Sequence, residues 1–312
     1  MTRPGALRRL PLLAAAAWLA FAALAGCETG GRSGGSAGIP EGWAAEVEQY
    51  RADREERLRA ETGWLSLAGL FWLEPGENAI GSDPGGAVVL PPDAAPRSAG
   101  VILYDGDVAT LVADEEAGIT LDGNPVSELR LENDVELRLG RLHWFLIARG
   151  GRHAIRVKDP ESPVRTGFHG LDYYPVDPAY RVEAHLRRFD RPRELEVATA
   201  TGTPARFLVP GVLEFELAGE PRTLEPLISE PDETELFIIF KDATSGRETY
   251  GAGRYLYTEL DGDRAVLDFN RAYNPPCAFT PFATCPLPPP GNRLDLALRA
   301  GEKAYSGGHR KS

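Results

Sequence analysis

Histidine and methionine are scarce in this chain, with five His and one Met in 312 residues. It has no HExxH string and no pair of cysteines two residues apart, so the usual zinc-binding patterns are missing and no metal is expected. Nothing reads as the strand–turn–helix elbow that carries a hydrolase serine. Gly251-Ala252-Gly253 lacks the third glycine of a dinucleotide loop, so no cofactor is expected either. Basic residues are outnumbered, 34 Lys plus Arg against 46 Asp plus Glu, which gives a formal charge of −12. Nucleic acid and anionic surfaces are bound by Lys and Arg displacing counterions, so nucleic acid is not expected as a partner. After residue 26 no apolar run is long enough to span a bilayer. Cysteine is rare and odd in number, at three.

The 43% hydrophobic content suffices to bury a core and excludes global disorder. Arg3, Arg8 and Arg9 precede an uncharged Ala- and Leu-rich run from Leu10 to Gly26, the basic and apolar regions of an export signal. The run ends in Leu24-Ala25-Gly26-Cys27, which resembles a bacterial lipobox. The resemblance implies a lipid on Cys27 and a bacterial membrane as partner, on the periplasmic side of an outer membrane where the cell has one. Residues 1–27 are thus read as a signal and 28–40, rich in Gly and Ser, as a flexible tether. Removing the signal deletes three arginines and no acid, which takes the formal charge to −15 and leaves two cysteines.

Residues 41–62 read as a helix with Trp43, Val47, Tyr50 and Leu58 on a narrow stripe and its charges solvated. Everything later reads as β. Trp64–Leu73 is apolar on both alternating faces, as in a buried strand, and Val212–Leu217 alternates as a half-buried strand does. Asp122-Gly123, Gly150-Gly151 and Asp261-Gly262 have the residue chemistry of two-residue hairpin turns. The expected fold is therefore mainly β: an N-terminal helix, a small β-sandwich over 63–140, and an antiparallel β-sandwich or barrel over 141–305, with 306–312 as a tail. The sandwich segment resembles the forkhead-associated type, without the Arg and Ser pattern by which such domains hold phosphothreonine.

Three polar strings lie at strand ends: RVKDPESPVRTGFHGLDYYPVDPAYRV, FKDATSGRETYGAGRYLY and LDFNRAYNPPCAFTPFATCPLPPPGNRL. On these strings the chain resembles the bacterial family called domain of unknown function 1684, over roughly Trp43 to Lys303. That resemblance implies no activity. The residues themselves suggest a pocket for a small anionic or polar molecule in the C-terminal domain. Lys158, Arg165, Lys241, Arg254 and Arg271 would provide charge, Arg by a planar fork suited to carboxylate or phosphate. Tyr173, Tyr255 and Tyr273 would supply walls with hydroxyl tips, and Asn270 and Asn274 would orient the ligand. A hydrolase or lyase using the same pocket would take His169 or Asp268 as general base. An envelope-maintenance or interaction protein without a ligand is the third reading. Cys277 and Cys285, in a proline-rich loop of an exported protein, are expected to form a disulfide.

Overall fold

The computed structural model describes residues 38–307. The export signal, Cys27 and most of the tether lie outside the described residues, as does the end of the tail. Helix α1 (Trp43–Arg59) is followed by a 3₁₀ turn at Trp64–Ser66 and strand β1 (Leu67–Trp72). Next come β2 (Gly76–Gly81), β3 (Val88–Val89), β4 (Gly100–Tyr104), β5 (Ala109–Ala113), β6 (Ile119–Leu121), β7 (Asn124–Pro125) and β8 (Glu128–Arg130). Strands β9 (Leu137–Leu139), β10 (Leu142–Arg149) and β11 (Arg152–Lys158) precede the short helix α2 (Pro163–Thr166). The C-terminal half holds β12 (Arg181–Ala198), β13 (Pro204–Leu217), β14 (Glu220–Leu224), β15 (Glu235–Phe240), β16 (Arg254–Asp261) and β17 (Arg264–Asp268).

Two sheets form the first sandwich, in the orders β1-β11-β10-β9-β6-β7 and β3-β2-β4-β5-β8. Their facing side chains, among them Ile80, Ile102, Leu111, Leu142, Trp144 and Ile155, make one buried cluster. This sandwich reaches Lys158 rather than residue 140, because the hairpin of β10 and β11 pairs with β1 in the register Leu70↔Arg156. Its turn is Gly150-Gly151, with φ of 58° and 75°, the left-handed backbone that a primed two-residue turn requires.

The C-terminal sheet is open and antiparallel, in the order β14-β13-β12-β17-β16-β15. Strand alternation gives it two apolar faces. Leu236, Ile238, Phe240 and Leu256 point to an inner core that Leu294, Leu298 and Ala300 of the C-terminal segment cover. Phe237, Ile239 and Tyr255 point the other way, into a cluster that also contains Leu67 of β1. The chain bends just before β16. Gly253 has φ 109°, and a Cβ there would lie 2.7 Å from the Phe240 carbonyl oxygen.

Helix α1 is less amphipathic than its sequence suggests. Arg51 and Arg54 are buried on the stripe of Trp43, Val47 and Leu58. Arg54 donates from Nε to Glu302 Oε1 at 3.1 Å and from Nη2 to the Asn274 carbonyl at 2.9 Å. The Trp43 indole donates to Asp268 Oδ2 at 2.7 Å. Charge-assisted bonds, not a wide apolar face, thus hold the helix to the C-terminal sheet.

Candidate functional site

A cavity of about 780 Å³ opens where the outer face of the C-terminal sheet, helix α1 and the edge of the first sandwich meet. Strands β15 and β16 supply Phe237, Tyr255 and Tyr257, because i and i+2 residues share a face. Tyr273 follows from the next segment. Phe237 and Tyr257 stack at 4.7 Å and 17°, and Tyr257 and Tyr273 lie 6.4 Å apart at 15°, so three near-parallel rings line the wall. Trp64 adds an indole that is 42% exposed. Glu233 and Glu235 also line the cavity.

Five arginines line the cavity: Arg54, Arg57, Arg149, Arg156 and Arg271. Their balance differs. Arg57 and Arg149 are exposed. Arg54 is neutralised by Glu302, and Arg271 stands 3.7 Å from both Asp268 and Glu46. Arg156 is only 5% exposed and has no ion-pair partner among the described residues, although the Asp134 carboxylate acts on it through space. Its Nη2 donates to Thr284 Oγ1 at 3.4 Å, and its Nε is buried without a hydrogen bond. Burial pushes its pKa down to about 10, which still leaves a cation at neutral pH.

Of the residues expected to form a pocket, Tyr255, Tyr273 and Arg271 line this cavity. The structure does not bring the other cations to it. Arg254 is fully buried in the inner core. It pairs with Asp242 at 2.9 Å and donates to the carbonyls of Leu298 and Ala300. Arg165 donates to the carbonyls of Arg59 and Pro160, and Lys158 lies over the Phe145 ring at 5.3 Å. The Lys241 backbone pairs with Asn292 and Leu294.

The remaining polar candidates do not line the cavity. Asn270 bonds both polar atoms of the Asp177 backbone at 2.9 Å, and Asn274 Nδ2 donates to the Lys303 carbonyl at 2.7 Å. Tyr173 stacks under the Arg51 guanidinium at 4.6 Å. Asp268 caps the 3₁₀ turn Phe269–Arg271 and accepts from Trp43. His169 is exposed and, among the described residues, bonds to no carboxylate. These side chains were singled out because they are polar residues at strand ends, and there an irregular backbone uses polar side chains to satisfy itself.

Arg156 was legible by a different signal. It is a charge inside the strand Ala154-Ile155-Arg156-Val157, whose neighbours are apolar on both faces. Tyr257 carried the period-two relation to Tyr255.

Cys285 also lines the cavity, but the expected disulfide is not formed. The loop sets the Cys277 backbone N–H on Cys285 Sγ at 3.1 Å and directs the Cys277 thiol to the Ala283 carbonyl at 3.1 Å. The hydrogen bond with Cys277 and burial both raise the Cys285 thiol pKa, the reverse of what a nucleophilic cysteine needs.

Fold and cavity together define a mainly β protein whose aromatic wall comes from the C-terminal sheet and whose unbalanced cation comes from the sandwich. Residues 166–303 match the family described as "Protein of unknown function (DUF1684)", and the chain belongs to that family. The matched span contains the aromatic wall; Arg156, Trp64 and Arg54 precede it. An uncharacterized protein of Haloarcula marismortui, solved by solution NMR, is 40% identical over 46% of this chain and 80% of its own, with a TM-score of 0.39. An FHA domain studied for phosphothreonine-dependent interactions is 29% identical over 28% of this chain and 79% of its own, with a TM-score of 0.22. The FhaA FHA domain is 26% identical over 28% of this chain and 97% of its own, also at 0.22. No curated protein matches the chain.

Proposed function

We propose that this is a binding protein for a small anion, held in the cavity by Arg156. The observation that carries the reading is a buried guanidinium that lines the cavity and has no ion-pair partner among the described residues. Buried charge is costly unless paired, so a site of this kind is complete only with an anion. Catalysis has less support, because neither His169 nor Asp268 is among the cavity-lining residues. Native mass spectrometry of protein purified from its own cells tests the reading. A retained small anion is expected on the wild type and not on Arg156→Met. Equal retention by both would refute it.

The same reading places the protein outside the cytoplasm, anchored by lipid on Cys27, with the periplasmic face of an outer membrane as its site where one exists. The support is the Arg-flanked apolar run and the Leu-Ala-Gly-Cys string. Cys27→Ala is expected to move the protein from the membrane to the soluble fraction. Unchanged membrane association would remove the lipid anchor.

A further inference from the structure

We propose that the cavity takes a monoanion built on a flat ring, in chemical class an aromatic carboxylate; this rests on the anion-binding reading and narrows it. The charge count sets the number of anionic groups. Arg156 is the one buried guanidinium of the lining without an ion pair among the described residues, since Arg54 is taken up by Glu302 and Arg271 is shared by Asp268 and Glu46. Its planar fork matches a carboxylate in a two-point contact. A second anionic group would meet the carboxylates of Glu233 and Glu235, which also line the cavity. The site therefore opposes diphosphates and other polyanions, although five arginines line it.

The wall sets the shape of the rest. Phe237, Tyr257 and Tyr273 are near-parallel, at 17° and 15°. The Tyr255 hydroxyl is already donated to the Pro286 carbonyl at 2.8 Å, so this residue presents a ring rather than a free donor. Trp64 is exposed beside Arg156, whose guanidinium carbon lies 6.0 Å from the indole centroid. Aromatic side chains supply most of the apolar lining, and the exposed Trp64 indole gives the ring of a ligand a surface to pack against.

Calorimetric titration of the protein with benzoate, cyclohexanecarboxylate and pyrophosphate at neutral pH tests this. The first two share one charge and differ in planarity. Benzoate is expected to bind about two- to thirteenfold more tightly than cyclohexanecarboxylate, the factor that a stacking gain of about 0.5–1.5 kcal/mol gives. Pyrophosphate should bind more weakly than benzoate. Arg156→Met should abolish binding of both carboxylates, whereas Trp64→Ala, at an exposed position, should reduce the preference for benzoate and keep the dependence on Arg156.

Equal affinities for the two carboxylates, both lost in Arg156→Met, would overturn the ring class and leave anion binding standing. Tighter binding of pyrophosphate would overturn the monoanion. Carboxylate binding that survives Arg156→Met, or benzoate that fails to bind at millimolar concentration, would overturn both readings.

Discussion

Arg254 and Asp242 form an ion pair in which neither side chain is exposed, with Nη2 and Oδ2 2.9 Å apart at the entry of β16. Asp242 also accepts the Thr244 N–H at 2.7 Å and the Thr244 hydroxyl at 2.6 Å, while Arg254 bonds the carbonyls of the segment that closes the inner core. The pair ties strand to closing segment and is remote in role from the cavity. Arg254→Ala leaves a buried carboxylate uncompensated, which costs about 3–5 kcal/mol. Urea unfolding should show that loss, with anion binding by the folded fraction unchanged. A near-neutral substitution would contradict the structural role.

Glu248 accepts two bonds from the Arg299 guanidinium, each 2.9 Å, and one from the Tyr174 hydroxyl at 3.0 Å. The Arg299 contact leads in holding its carboxyl down at about 2, against 4.5 ordinarily. A depressed carboxyl contributes stability that is present above its unfolded pKa and is lost as pH falls toward the folded one. Wild-type stability should therefore decline between about pH 4.5 and pH 2 partly through this group. Glu248→Gln should flatten that part of the curve by a small, salt-sensitive amount, since both partners are exposed to solvent. An unaltered pH profile would show that the contact contributes nothing.

Cys285 is buried with a raised thiol pKa, so in the native protein this thiol should react slowly with iodoacetamide at pH 8. Unfolding without reductant should expose Cys277 and Cys285 as two alkylatable thiols. A product that takes up label only after reduction would show a disulfide in place of the thiols described above.

Elements with a strong local signal were legible in the sequence. The helix is Trp43–Arg59 where 41–62 was expected, and Asp122-Gly123, with φ of 50° and 80°, turns as its chemistry demands. Val212–Leu217 falls within β13 with its expected alternation. The sandwich boundary was hidden because the pairing of β1 with β11 is a contact between residues about ninety apart, and no local pattern encodes it.

The site was legible in part. Tyr255, Tyr273 and Arg271 share the cavity, but Arg165, Lys241 and Arg254 resemble Arg271 in sequence and differ only in what the folded backbone offers them. Balance of charge is a three-dimensional property. Nothing in the string Ile155-Arg156-Val157 says that Arg156 would lack an acid and Arg54 would find one in Glu302.

The central claim is that Arg156 is a buried charge awaiting an anion, and the most direct measurement is the stability of Arg156→Met against wild type, with and without benzoate. An unbalanced buried polar group costs about 1–3 kcal/mol, so without ligand the Met variant should be more stable than wild type by that order. Benzoate should stabilise the wild type by mass action and leave the variant unmoved. A variant less stable than ligand-free wild type, or stabilised by benzoate to the same extent, would contradict the account.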